Sequence, residues 1–219
     1  MTTRTTTPRP RLRAGIAILL LGMLTTACLG RSPSPEHYML GTGGMLGTGG
    51  RLDTGDTLGT GGDGAKGNAA PDVALLVGPV RLPAYLDRPQ FARLEGRGEI
   101  ELDEFARWLG GFEDNFLRAL SLDLARRTGS IRIAASPSKA PFPFDARIRL
   151  HVDDLVVEGD ALRARIRWAM IPTGEGRAPV VDVLEARFPL AGRGNAAIVA
   201  AHDEAIAALA ERIVAALPD

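Results

Sequence analysis

The chain has 219 residues, with 26 lysines and arginines against 26 aspartates and glutamates, three histidines and a single cysteine. Zero net charge argues against a nucleic-acid-binding protein, which needs a surplus of basic residues. One cysteine excludes an internal disulfide and a multi-cysteine zinc site, and three scattered histidines do not supply the missing ligands. The length allows one or two domains.

The N-terminal segment has the composition of an export signal. Residues 1–27 contain four arginines and no acid, and the arginines precede an apolar run over residues 14–24. An apolar core of about 7–15 residues after a basic region is typical of a signal peptide, whereas a membrane-spanning helix needs about 20. We therefore predict that residues 1–27 are a signal peptide.

The signal ends at the only cysteine. The sequence Thr-Thr-Ala stands directly before Cys28, and a cysteine after a small residue at this place resembles a bacterial lipobox. The usual leucine three positions before the cysteine is Thr25 here, with Leu24 one place earlier. The resemblance implies acyl chains, including palmitate, on Cys28, and two or more chains give stable anchoring. Leu29, where inner-membrane lipoproteins often have aspartate, favours the outer membrane; an ordinary secreted protein with a free thiol is the alternative.

A glycine-rich repeat of six residues follows the predicted anchor. Its leucines stay in phase at Leu40, Leu46, Leu52 and Leu58. A phosphate loop would need a strand before it and a helix after it, and a β-solenoid would need more stacked units. The Asp-Thr-Gly at Asp53 is a drifted copy of the repeat with no second copy to form an aspartic-protease dyad. We interpret residues 41–70 as a flexible low-complexity segment.

Strand and helix patterns begin after the repeat. The runs over residues 72–82 and 90–94 are strand-like and are bounded by prolines. After a short segment at 99–102, Asp103 is placed to cap a helix that ends at Gly129. The apolar face of this helix recurs at three- and four-residue steps. Its members are Phe105, Trp108, Leu109, Phe112, Phe116, Leu117, Leu120 and Leu124.

The second half of the body predicts a hairpin and a closing helix. Residues 146–152 alternate between apolar and polar side chains, an apolar run follows at 155–157, and after a Glu-Gly-Asp turn the chain returns over 161–171. They predict an antiparallel pair with one arginine-lined, solvent-facing side. Residues 180–188 add a strand, and residues 195–217 are an alanine-rich helix capped by Asn195. The element order predicts an α+β fold, an antiparallel β-sheet with two main helices packed on one face.

The body offers no catalytic constellation. His151 lies on a predicted strand and His202 on a predicted helix, and neither belongs to a nucleophile or zinc motif. The pair Asp153–Asp154 is interpreted as a solvated bend in preference to a cation site. We therefore predict no enzyme, no metal and no cofactor. A set of strand arginines either pairs with acids on an exposed face or meets an anionic headgroup or an acidic partner. These are Arg147, Arg149, Arg163, Arg165 and Arg167.

One segment is more distinctive than the rest. A strand runs into a motif that reads Pro83-x-Tyr85-Leu86-Asp87-Arg88-Pro89-Gln90. This motif resembles the signature of the ABC-type transport auxiliary lipoproteins, the PqiC-like family. Further resemblances to that family, in chain order, are Tyr38-x-Leu40, Arg107-Trp108, Phe144, Trp168 and the C-terminal helix at 199–209.

The resemblance implies an outer-membrane lipoprotein on the periplasmic face that docks an MCE-type lipid transport assembly. The implied partners are an MCE-type periplasmic protein and an inner-membrane permease, with no catalytic role for this chain. Two prolines make the motif a stiff turn, whose polar groups can lock the corner or contact a partner. Tyr85 and Leu86 are the first candidates for partner contact, whereas corner locking is slightly favoured for Asp87 and Arg88. The alternative function is a lipid-binding carrier with an apolar cavity between sheet and helices, and self-association stays open.

The same resemblance sets the domain division. If Tyr38 to Leu40 corresponds to the family's first strand, the auxiliary domain is 38–219, interrupted by an insertion at about 41–70. Residues 28–37 are then the lipidated tether. A free segment of 29–37 spans about 15–18 Å root-mean-square, against about 32–39 Å if all of 29–70 were free.

Overall fold

The computed structural model describes residues 34–41, 73–137 and 140–218, which form eight strands and two helices. The strands are β1 (Glu36–Tyr38), β2 (Leu75–Arg81), β3 (Gln90–Glu95), β4 (Glu99–Trp108), β5 (Ile133–Ala135), β6 (Ala146–Glu158), β7 (Ala161–Pro172) and β8 (Val180–Pro189). The helices are α1 (Phe112–Thr128) and α2 (Asn195–Ala215).

All eight strands belong to one sheet, which forks at β6. Strands β6, β7 and β8 are successive antiparallel neighbours. The other edge of β6 is shared by two strands that both run parallel to it: Arg81 of β2 lies beside His151, and Arg93 of β3 lies beside Val157. Strand β5 extends the β2 branch, and β4 and then β1 extend the β3 branch.

The α+β class with two helices is confirmed, but the sheet is mixed and not antiparallel as expected. The four parallel pairings are β1 with β4, β2 with β5, β2 with β6 and β3 with β6. These pairs are parallel because the chain after β2 and after β4 crosses to another part of the sheet and does not form a hairpin with the strand that it has just left. The predicted β6–β7 hairpin is confirmed, from Ala146 opposite Pro172 to Glu158 opposite Ala161.

The core lies between one face of this sheet and the two helices. Alternation along β6 and β7 turns the pairs Ile148–Met170 and Leu150–Trp168 inward, all four at most 4% exposed. They join one buried cluster with the apolar faces of both helices. Fully burying such a side chain contributes about 1.5–3 kcal/mol. The helix residues with the least exposure include Phe116, Leu120, Leu124, Leu209 and Ile213.

The predicted start of the first helix at Asp103 is wrong. Strand β4 continues to Trp108, and α1 begins at Phe112 after Gly110 and Gly111, both with positive φ. The Asp103 carboxylate does accept two backbone N–H groups, those of Phe105 at 2.8 Å and Ala106 at 3.1 Å, as an N-cap would. Here these bonds stabilise an irregularity of β4 where the register with β3 shifts.

The segment after β1 is fixed between the two helices. The Leu40 side chain is fully buried, its N–H donates to the Asn115 side chain at 3.4 Å, and its carbonyl accepts from Arg118 of α1. The Gly41 N–H donates to the Asp203 carboxylate of α2 at 2.7 Å. Gly41 has φ +73°, and a Cβ there would lie 3.0 Å from the Ala119 Cβ. Only glycine fits this close approach without strain.

Candidate functional site

The family-like motif occupies the fork of the sheet. Strand β2 ends at Arg81 and β3 begins at Gln90, and both strands pair with the same edge of β6. Between these pairings the chain leaves the edge over residues 82–89. The corner rejoins the sheet where the Pro89 carbonyl accepts the Trp108 N–H at 2.7 Å.

Tyr85 and Leu86 hold this corner in place. The Leu86 side chain is 3% exposed and belongs to the core, and its N–H donates to the Pro83 carbonyl at 3.0 Å, which closes a tight turn. The half-buried Tyr85 hydroxyl accepts the Leu155 N–H at 3.2 Å, in the stretch of β6 between its two partner strands. Burial raises the pKa of the Tyr85 hydroxyl, and the Leu155 bond opposes that rise.

Asp87 and Arg88 are the charged residues of the motif, and both are exposed. Neither makes a hydrogen bond or an ion pair with any other residue that the structure describes. Leu86 is therefore inaccessible and Tyr85 bonds to backbone, whereas the opposite charges of Asp87 and Arg88 are accessible to solvent. Whether any of the four residues contacts a partner stays a prediction.

A groove of about 760 Å³ adjoins the corner. Arg81 and His151, which are register neighbours on β2 and β6, line it together with Arg149 of β6 and Arg167 of β7. Asp87 of the motif and Glu113 of α1 also line the groove, as do apolar side chains such as Leu82 and Val181. The volume is within the usual range of ligand sites. The sequence pattern does not predict this groove, because its lining comes from the motif corner and from four strands and one helix.

The expected arginine-lined face exists, and three of its five predicted arginines pair with acids. Asp153 accepts two bonds from Arg167, at 2.6 and 2.8 Å, and these bonds lower the pKa of Asp153 and raise that of Arg167. Asp154 lies 3.4 Å from Arg163. The Asp153–Asp154 pair is therefore part of a charge ladder. Its other ion pairs are Arg163–Glu158, Arg165–Asp153, Arg165–Glu185 and Arg187–Glu158.

The other two predicted arginines differ from these three. Arg147 lies over the Phe144 ring at 5.6 Å, a cation–π contact. Arg149 is exposed and has no acidic partner among the described residues. Arg81, which the sequence pattern did not indicate, also has no acidic partner among the described residues. The groove thus contains two arginines whose charge the described part of the chain does not neutralise.

His202 and His151, the two histidines that follow the Gly-rich repeat, have different surroundings. His202 is buried, lies edge-on against Trp108 and Phe112, and its Nδ1 lies 2.8 Å from the Ile198 carbonyl. Burial lowers the pKa of His202 to about 4, so the ring is neutral at physiological pH. His151 is partly exposed, with Nε2 3.4 Å from Asp153. Within the described ranges no cluster of three or more histidine, cysteine or acidic side chains could hold a metal ion.

The carrier alternative called for an apolar cavity between sheet and helices. The side chains in that space form a single buried cluster. A separate, mainly apolar pocket of about 330 Å³ lies at one end of the sheet, lined by Met170, Val180 and Leu217 among others. No helix in the described part of the chain is both long enough and apolar enough to span a bilayer.

Several predictions fall outside the described residues. They are the signal peptide at 1–27, lipidation at Cys28, and all of the Gly-rich insertion at about 41–70 except Gly41. Strand β1 at Glu36–Tyr38 precedes the insertion, and β2 follows it. The division into tether, domain and insertion stays a prediction.

Comparison with known proteins identifies the family to which the chain belongs. Residues 57–214 match the sequence profile of the family described as "ABC-type transport auxiliary lipoprotein component". The chain belongs to this family, as the motif at 83–90 had indicated. No curated protein matches the chain.

Solved structures align with this chain, and one of them shares its fold. A crystal structure described only as an uncharacterized protein aligns with a TM-score of 0.57 at 13% identity, covering 66% of this chain and 91% of that one. A protein from Xanthomonas campestris, of the DUF330 family, aligns with a TM-score of 0.48 at 18% identity, covering 68% and 86%. At these identities the first likeness establishes the fold alone.

Proposed function

We propose that this protein is an outer-membrane lipoprotein, anchored through Cys28 on the periplasmic face, that docks an MCE-type lipid transport assembly. Its partners are an MCE-type periplasmic protein and an inner-membrane permease. It has no catalytic role and needs no cofactor. Membership of the transport auxiliary family supports the general role, and the lipobox-like sequence before Cys28 supports the anchor.

The observation that carries the proposal is the construction of the motif corner. Leu86 and Tyr85 fix its backbone from inside, through core packing and the bond to Leu155. The same turn presents Asp87 and Arg88 to solvent without partners in the described part of the chain. A rigid backbone that presents charged groups loses little conformational entropy on binding, which favours a docking surface.

A charge reversal tests the docking role. Full-length protein carrying Arg88→Glu is compared with wild type for the amount of MCE-type protein that co-purifies from membranes. Arg97→Glu is the matched control, because Arg97 is also an exposed arginine, in the β3–β4 turn. We expect Arg88→Glu to reduce recovery about tenfold and Arg97→Glu to leave it unchanged, since reversing a charge that contacts a partner costs about 1–2 kcal/mol. Unchanged recovery with Arg88→Glu would contradict docking at this corner.

A further inference from the structure

We propose that the groove beside the motif binds a zwitterionic phospholipid headgroup, with a phosphate and a primary ammonium, as in phosphoethanolamine. The inference deepens the proposed lipid-transport function by naming the ligand class of a specific site. It rests on the charges that line the groove and on which of them the protein itself neutralises.

The cationic half of the site consists of Arg81 and Arg149. Both line the groove, and neither has a hydrogen-bonding or ionic partner among the residues described. Arg167 also lines the groove, but its guanidinium is held by both oxygens of Asp153. Two guanidiniums left without carboxylates are suited to a phosphate, which they bind through paired charge-assisted hydrogen bonds.

The anionic half consists of Asp87 and Glu113. These carboxylates line the same groove, one from the motif and one from the first turn of α1, and have no cationic partner in the described ranges. A purely anionic ligand would meet both carboxylates unfavourably. A headgroup that carries an ammonium beside its phosphate satisfies both signs of charge. The groove therefore selects a zwitterion over an anion.

Apolar side chains extend the groove beyond its charges. Leu82 lines it beside Arg81, and Val181, 73% exposed on β8, lines it beyond Arg149. A lipid placed with its headgroup among the four charges has this apolar surface next to it for the glycerol and the first methylenes. Covering these methylenes adds to the affinity, because removing apolar surface from water is favourable.

Water-soluble headgroups test the proposal. Full-length protein in non-ionic detergent is titrated with glycerophosphoethanolamine, with glycerophosphoglycerol, which lacks the ammonium, and with inorganic phosphate. We expect glycerophosphoethanolamine to bind at least about tenfold more tightly than the other two. Equal affinity for the first two compounds, or tightest binding of inorganic phosphate, would overturn the zwitterion site.

Substitutions test the cationic and the anionic half of the groove separately. Arg81→Gln and Arg149→Gln should each weaken glycerophosphoethanolamine about tenfold, and Asp87→Asn or Glu113→Gln should remove its advantage over glycerophosphoglycerol. Arg88→Gln is the control, because Arg88 does not line the groove. An equal loss with Arg88→Gln would refute the assignment. The docking test changes Arg88, whereas the headgroup test changes Arg149. Failure of headgroup binding therefore leaves the docking result intact, and failure of docking leaves the headgroup result intact.

Discussion

The hydroxyl of Tyr85 accepts the backbone N–H of Leu155 at 3.2 Å. Leu155 lies in β6 between the residues that pair with β2 and those that pair with β3. A side chain of the motif thereby replaces the strand neighbour that β6 lacks there. The bond explains how the sheet can fork without leaving this N–H unsatisfied, which would cost about 1–3 kcal/mol if buried.

Removal of this hydroxyl should destabilise the fold. Tyr85→Phe is expected to lower the free energy of unfolding by about 1–2 kcal/mol, because the Leu155 N–H loses its acceptor. Tyr38, the other tyrosine of the chain, gives the matched control: its hydroxyl bonds Glu36 at the surface, so Tyr38→Phe should change stability by less than about 0.5 kcal/mol. Urea denaturation measures both. Equal effects of the two substitutions would contradict the role of Tyr85.

The sequence predicted the hairpin and the family motif well, because both depend on local pattern. Alternation over 146–171 is sufficient to place β6 and β7. The start of α1 was wrong for a non-local reason. Phe105 and Trp108 fit a helical face by spacing, but pairing with β1 and β3 draws both into β4, where Phe105 is 48% exposed.

Local sequence pattern also did not predict which residues of the motif face the core and which face solvent. Tyr85 and Leu86 face inward and Asp87 and Arg88 face outward because the corner lies against β6, where Leu155 is 70 positions beyond Tyr85 in the chain. The parallel pairing of β2 and β3 along one edge of β6 is equally invisible to local spacing. The groove depends on that pairing, since it brings Arg81 beside His151.

The segment at Leu40 and Gly41 should be firmly held, which bears on the length of the tether. Both N–H groups donate to side chains of the helices, Leu40 to Asn115 and Gly41 to Asp203. Hydrogen exchange followed by mass spectrometry is therefore expected to show protection of both amides. Exchange at the rate of an unstructured peptide would remove the short tether and favour a free segment from 29 to 70.

His202 should make stability depend on pH. Its pKa is about 4 in the folded protein and about 6.5 when unfolded, so the unfolded state binds the proton more readily. This contribution is fully present above pH 6.5 and is lost as the pH falls toward 4, by about 3 kcal/mol in total. The difference in unfolding free energy between wild type and His202→Leu should therefore change across this window. Parallel pH profiles would contradict a buried neutral histidine.

Lipidation at Cys28 has a direct chemical test. Cells expressing the full-length protein are labelled with a palmitate probe, and Cys28→Ala should abolish the label because no other cysteine is available. Thr25→Leu, which restores the usual lipobox residue, is the control and should retain labelling. Persistent labelling of Cys28→Ala would exclude this anchor.

The most direct test of the docking role is site-specific photo-crosslinking in cells. A photoreactive amino acid replaces Arg88 at the motif corner or, as control, Ile131, which is 93% exposed in the loop after α1. We expect the probe at position 88 to capture an MCE-type protein and the probe at position 131 not to. Capture of lipid alone from position 88, or equal capture from both positions, would contradict docking at this corner.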